Sequence, residues 1–263
     1  MTLETLLEAI EMPNEAAQAV LRASKEQALP DGTLQKLFVP ASWQSGLDEL
    51  QAALGADEWG VGMLAALLTC ALKTHENYAR AGVGDDIFIA TMKCFTRFEK
   101  EHEVSYGRIG FDRAFWVPRQ LCMKLFRLGE LEYELCEEKG RVNLHIPSDA
   151  RLLPALLHES WEQALAFFAV HAPDYAQPEV HCESWLLYPA LESLLPPQSR
   201  ILQFRQAFEL FRVDDDAPDY LEWVFKLGAK QRKNTRLSEL AETASCTAGA
   251  APKRRGRSRC DRS

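Results

Sequence analysis

The chain has no CxxC pair, no apolar run long enough to cross a bilayer and no internal repeat. Its first hundred residues show no alternation of apolar and polar positions. Each absence excludes something. The seven cysteines (Cys70, Cys94, Cys122, Cys136, Cys182, Cys246 and Cys260) are scattered, which argues against a zinc knuckle or a disulfide framework. The most apolar window, Val61 to Leu72, is twelve residues long and contains Gly62; a membrane span needs about 20. Met1-Thr2-Leu3-Glu4 carries no basic region ahead of an apolar run, so no signal peptide is expected. Reduced thiols and a cytoplasmic location are the expectation. Positive charge is scarce in the body of the chain. Of 30 basic and 38 acidic residues, ten basic and three acidic lie beyond Phe225, from Ala229 onward, so the preceding part carries a net charge of −15. That excludes a nucleic-acid-binding core. A composition of 47% hydrophobic and 26% charged residues excludes a disordered chain and supplies ample core.

What is present is first of all helical. Leu3, Leu6, Leu7 and Ile10 fall on one face at 3.6-residue spacing, after Thr2 as an N-cap. A second helix follows Pro13-Asn14. A third opens at Ser45 and stops at Gly55. The segment Glu58 to Arg80 reads as a longer helix buried on most sides, broken by Gly82-Val83-Gly84. The next carries Ile89, Met92, Phe95 and Phe98 on one face. His75 and His102 have no partner at ligand spacing and read as exposed helix histidines.

From Phe111 the pattern changes. Asp112 to Leu125 looks helical, with a kink or a late start at Pro118. Leu128 to Leu135 alternates as a half-buried strand, and Val142 to Ile146 forms the second arm of a hairpin. Pro154 opens a helix with Leu157, Trp161, Leu165 and Phe168 on one face. Val180 to Leu187 is a third strand, with Cys182, Ser184 and Leu186 on one side and His181, Glu183, Trp185 and Leu187 on the other. A short helix over Pro189 to Leu195, a second over Ser199 to Arg205, a fourth strand over Ala207 to Val213 and a last helix from Pro218 to Phe225 follow. A hairpin followed by a strand–helix–strand unit implies a mixed sheet with flanking helices, so the class is α+β. The expected organisation is a helical region over residues 1–104, a sheet domain over 105–235 and a basic disordered tail over 236–263. The Thr247 to Arg257 stretch is not expected to form a packed strand.

This order resembles the second half of the GNAT acyltransferase fold, in which acyl-CoA binds where two central parallel strands splay apart. The wording is more specific. Phe111-Asp112-Arg113, Arg119-Gln120-Leu121, Leu125 to Tyr133, His145 to Ala150, Cys182 to Leu187 and Glu222-Trp223-Val224-Phe225 resemble a bacterial acyltransferase-domain family. In that family a helical N-acyltransferase N-terminal region is joined to a GNAT-like C-terminal domain. The resemblance implies transfer of an acyl group, acetyl by expectation, from acetyl-CoA or another acyl-CoA to a small-molecule or peptide amine. It implies no metal and no membrane. One departure stands out: the usual phosphate loop has glycines, whereas Ile146 to Pro154 has none and carries Asp149, whose charge would repel a phosphate. Arg151 and Ser148 are the residues of this loop assigned to the cofactor. The departure keeps a second reading open, a non-catalytic GNAT-like binding module.

His145, at the end of the second strand, is the candidate general base, or else it caps the Pro147-Ser148 turn. Glu183 is a second candidate base, desolvated among apolar neighbours, or else it pairs with Arg119 or Arg127. Ser184 and Tyr188 are candidate proton donors to the leaving thiolate. Cys182 beside His145 could be a nucleophile or simply a buried thiol. Asp214-Asp215-Asp216 reads as a solvated turn rather than a metal site. The Lys253 to Arg262 run could bind RNA or an acidic membrane surface, or be merely solvated.

Overall fold

A computed structural model describes residues 1–26, 31–214 and 247–252. The helical region runs α1 (Leu3–Ala9), α2 (Asn14–Glu26), α3 (Asp31–Lys36), α4 (Trp43–Leu54), α5 (Val61–Arg80) and α6 (Asp85–Tyr106). Thr2 caps α1 in a capping box with Thr5. Helix α5 is its axis, with Met63 to Leu68, Cys70 and Ala71 all buried. Its N-terminus is held by the Asp57 carboxylate, which accepts the N–H groups of Gly62 and Met63 at 3.0 and 2.7 Å. Gly60 has φ +71°, and a Cβ there would lie 1.9 Å from the Phe111 carbonyl oxygen, so only glycine allows this approach.

The sheet follows: a four-residue helix α7 (Pro118–Leu121), then β1 (Leu125–Leu128), β2 (Leu131–Leu135), β3 (Arg141–His145), α8 (Pro154–His171), β4 (Glu179–Ser184), α9 (Leu191–Leu194), α10 (Arg200–Arg205), β5 (Phe208–Asp214) and β6 (Thr247–Pro252). The strand order is β1-β2-β3-β4-β6-β5. All neighbours are antiparallel except β3 and β4, the pair joined through α8. One hydrophobic cluster runs through both halves. An aromatic chain marks the seam: Tyr78 of α5 lies 5.8 Å from Phe126 of β1, which lies 4.7 Å from Phe167 of α8.

The structure departs from the sequence expectation in several places. The span Leu128 to Leu135 is the turn and second arm of a tight hairpin whose first arm, β1, starts at Leu125, the last residue of the expected Asp112 to Leu125 helix. Leu128 pairs with Leu131 across Gly129-Glu130, and Gly129 takes the positive φ (+66°) that short hairpin turns require at that position. Ser160 of α8 decides this: its hydroxyl donates to the Leu128 carbonyl and accepts from Leu131 N–H, pinning the turn to the helix. Consequently the buried stripe of α8 is Ser160, Ala164, Phe167 and Phe168, rotated from the expected face. The Asp112 to Leu125 helix shrinks to its late start at Pro118. The third strand ends at Ser184, where the Ser184 hydroxyl accepts Leu186 N–H and opens a 3₁₀ turn over Trp185–Leu187. Thr247–Pro252, expected to stay unpaired, forms β6 between β4 and β5; neighbours on both edges supply the hydrogen bonding that local propensity does not. His102 is buried and its Nδ1–H donates to the Arg108 carbonyl, and His75 is half-buried against Asp85, so neither is an exposed helix histidine. The Pro218 to Phe225 helix, Asp215, Asp216 and the Lys253 to Arg262 run lie outside the described residues.

Glu99, on the inward face of α6, is fully buried and neither carboxylate oxygen has a hydrogen-bond partner. Burial, with the charge of Glu103, pushes its carboxyl up to about 7 from an ordinary 4.5. An acid raised on folding is favoured in its protonated form. Its stability contribution is therefore intact at acid pH and is lost as pH rises from about 4.5 to about 7. Glu99→Gln removes that loss. The variant is expected to match the wild type near pH 4.5 and exceed it by about 3 kcal/mol at pH 8 in urea unfolding; an equal gap at both pH values would contradict this origin.

Candidate active site

The register of β3 and β4 builds the site. Their paired positions end at Asn143 and His181. Beyond that point β3 continues through Leu144 and His145, while β4 continues through Cys182, Glu183 and Ser184 paired to β6 on its other edge. Beyond Asn143 and His181 the two parallel strands are no longer paired with each other. Because side chains alternate along a strand, His145 and Glu183 stand on the same sheet face, each two residues past the last pair. This is the face opposite α8.

His145 is not alone on that face. Its Nε2 lies 2.8 Å from Glu134 Oε2, and the Arg119 Nε–H donates to Glu134 Oε1 at 3.2 Å. The Trp116 ring meets the imidazole edge-on with centroids 4.9 Å apart, and the Arg119 guanidinium lies 4.4 Å from the Trp116 ring centroid. Burial alone would raise the Glu134 carboxyl; the hydrogen bond and charge of His145, together with Arg119, outweigh it and hold Glu134 below its ordinary value. It is ionised through the neutral range. An ionised carboxylate on Nε2 fixes the neutral imidazole with its proton on Nε2 and its lone pair on Nδ1.

Glu134, Arg119 and Trp116 are the members that sequence reasoning did not assign to the site. A signal for Glu134 existed: in the hairpin Glu132 faces His145 and Glu134 is its diagonal neighbour, so both acids share the histidine's face. Nothing local marked Trp116, which a loop brings in.

The other candidates are placed as follows. Glu183 is exposed, not desolvated, and its expected partners bind elsewhere: Arg119 to Glu134, and Arg127 to Asp149 at 3.0 Å. Ser184 caps the 3₁₀ turn. Cys182 is 1% exposed, and burial pushes its thiol up to about 12, so it is a core thiol and not a nucleophile.

Between β3 and α8 lies the loop that carries Ser148 and Arg151. Ser148 Oγ donates to Glu101 of α6. Asp149 sits between Arg127 and Arg97, so its charge is neutralised rather than presented to the loop. The Arg151 N–H donates to the buried Glu130 carboxylate; its guanidinium lies 3.6 Å from the same carboxylate, and the side chain is 63% exposed. Leu152 adopts φ +52°, the left-handed conformation a glycine would supply. Pro154 begins α8 with no side-chain cap, which leaves the first-turn amides facing outward. A cavity of about 480 Å³ opens on the hairpin side of this loop, lined by Arg127, Gly129, Glu130, Asp149, Arg151, Leu156 and Glu159. Among the described residues there is no cluster that could hold a metal ion, and no helix is long and apolar enough to cross a membrane.

Comparison with known proteins fits this architecture. Residues 1–123 match the N-acyltransferase N-terminal domain and residues 125–251 the GNAT-like C-terminal domain. The chain carries these two domains in this order. The GNAT-like domain thus begins at β1 and includes nearly all of β6, while the N-terminal domain carries α7 with Trp116 and Arg119. The His145 cluster is therefore shared across the domain boundary. Among solved structures, an acyltransferase in complex with decanoyl-CoA and teicoplanin is 21% identical, with a TM-score of 0.73 over 94% of this chain and 87% of that one. An acyltransferase mutant in complex with octanoyl-CoA is 22% identical, with a TM-score of 0.71 over the same shares. A third, with decanoyl-CoA, is 20% identical and has a TM-score of 0.61 over 96% and 99%. These likenesses establish the shared fold. No curated protein matches the sequence.

Proposed function

We propose that the protein transfers an acyl group from acyl-CoA to an amine, on a small molecule or a peptide. The observation that carries this reading is the end of β3–β4 pairing at Asn143 and His181 beside an oriented histidine, which we read as a wedge between the two strands. In the proposed complex the pantetheine arm enters the wedge. The phosphates lie against the β3–α8 loop, with Arg151 and the first amides of α8 as donors and Ser148 beside them. The Leu152 conformation supports this placement, since it gives the loop a turn that the missing glycines would otherwise have provided.

The chemistry assigned to the chain is positioning and proton transfer. The acceptor amine attacks the thioester carbonyl and gives its proton to His145 Nδ1. Glu134 stabilises the imidazolium and fixes its orientation. The C–N bond forms, the C–S bond breaks and the thiolate leaves. The Ser184 hydroxyl, whose oxygen accepts Leu186 N–H, keeps its own proton for the thiolate. Glu183, exposed on the same face as His145, lines the acceptor side and helps to receive a cationic amine. The solved relatives hold eight- and ten-carbon acyl chains, so the donor series to test runs from acetyl-CoA to decanoyl-CoA.

Binding to the native state alone must raise its melting temperature, by an amount equivalent to about 2.7 kcal/mol at a hundred times Kd. A thermal shift is therefore expected with CoA and with acyl-CoA of the preferred length, accompanied by thiol release when an amine is added. No shift at millimolar CoA would overturn the reading. A shift with no turnover on any amine would favour the non-catalytic module.

A further inference from the structure

We propose that Asp149 is a positioning residue for the acyl donor, a latch through which α6 and β1 hold the β3–α8 loop in its phosphate-receiving shape. This rests on the acyl-CoA reading above. A loop without glycine has to be forced into a left-handed turn, and Leu152 at φ +52° is so forced. Such a conformation persists only where its surroundings over-determine it. Here tethers arrive from four elements. Glu101 of α6 takes the Ser148 hydroxyl. Arg127 of β1 and Arg97 of α6 hold Asp149 at 3.0 and 3.8 Å. The Glu130 carboxylate in the β1–β2 turn takes the Arg151 N–H, and Arg200 of α10 donates to the Arg151 carbonyl at 3.2 Å. The peptide groups of residue 151 are thus clamped on both sides immediately before the strained residue.

Asp149 is the informative member of this set, because two physical effects predict opposite signs. By charge alone, a carboxylate in the loop disfavours a phosphate, and its removal leaves Arg127 and Arg97 with more positive field to offer. As a latch it must be present, and its removal frees the loop and costs affinity. The geometry favours the latch: the carboxylate is held against two guanidinium groups and already neutralised, so the repulsion it could exert is largely spent. The position also tolerates substitution. Asp149 is 57% exposed, and Arg97 keeps its ion pair with Glu132 at 2.6 Å when Asp149 is lost.

The test is titration calorimetry of CoA into the wild type, Asp149→Ala and Asp149→Asn, with steady-state kinetics beside it. Asp149→Ala is expected to weaken CoA binding and raise the acyl-CoA KM by about tenfold, with kcat at saturating donor, the acceptor KM and the ligand-free melting temperature unchanged. Asp149→Asn, which retains an acceptor for Arg127, is expected to recover part of the affinity. CoA binding as tight as wild type, or tighter, in Asp149→Ala overturns the proposal and leaves the acyl-CoA reading standing. Absence of CoA binding in the wild type overturns that reading and the latch with it.

Discussion

His145→Ala is expected to lower kcat for acyl transfer by about 10² to 10⁴ while leaving CoA affinity as it is. The reason is local. His145 has its proton placed by a neighbour: Glu134 Oε2 lies 2.8 Å from Nε2 and is itself held by Arg119. Glu134→Gln keeps the shape and removes the charge. It is expected to lower kcat by about 10² because the imidazole loses both its fixed tautomer and the stabilisation of its protonated form. Groups that act as a unit are not additive, so the double variant should be no slower than His145→Ala alone. The measurement is thiol release from acyl-CoA in the presence of amine, paired with CoA titration. A full kcat in His145→Ala would remove the imidazole from the mechanism; a lost CoA affinity would show that the residue shapes the donor site instead.

The second large effect is on stability. Arg97 and Glu132 form an ion pair at 2.6 Å with side chains 9% and 3% exposed, joining α6 to β2 beneath the loop. Removing one partner leaves a desolvated charge without compensation. Arg97→Met is therefore expected to cost about 3–5 kcal/mol, a large share of the roughly 5–15 kcal/mol that holds a domain folded. Arg97→Met/Glu132→Leu should recover most of this, because replacing both charges removes the uncompensated carboxylate rather than stranding it. Urea unfolding of the two single variants and the double decides it. A single variant as stable as the double would mean that water reaches Glu132 and that the pair does little to join the two domains.

Much of the helical half can be read from periodicity. Leu6, Leu7, Met92, Phe95 and Phe98 are buried as their spacing predicts, because one helix face meets one core. Only α3, six residues long, escapes that reading. The sheet is legible in outline, and its errors have a common cause. β1 is not legible as a strand of its own because Leu125 to Leu128 is too short to show alternation, and its strand character comes from Ser160 and β2. β6 has no propensity signal; its neighbours β4 and β5 impose it. The candidate base was visible as a histidine at a strand end. Its orienting carboxylate was half-visible, as an acid on the same hairpin face. The desolvation expected of Glu183 was not realised, since neighbours in sequence say nothing about which side of a sheet is left uncovered.

By itself the sequence determined the helical half, the class of the sheet domain and the strand ends where His145 and Glu183 lie, all through short-range spacing and the alternation of side chains along an extended chain. Tertiary structure alone decided that β3 and β4 part after Asn143 and His181, that Glu134, Arg119 and Trp116 gather on His145, and that a loop without glycine is tethered into a left-handed turn. Those features depend on contacts between segments far apart in the chain, whose energies no local pattern encodes.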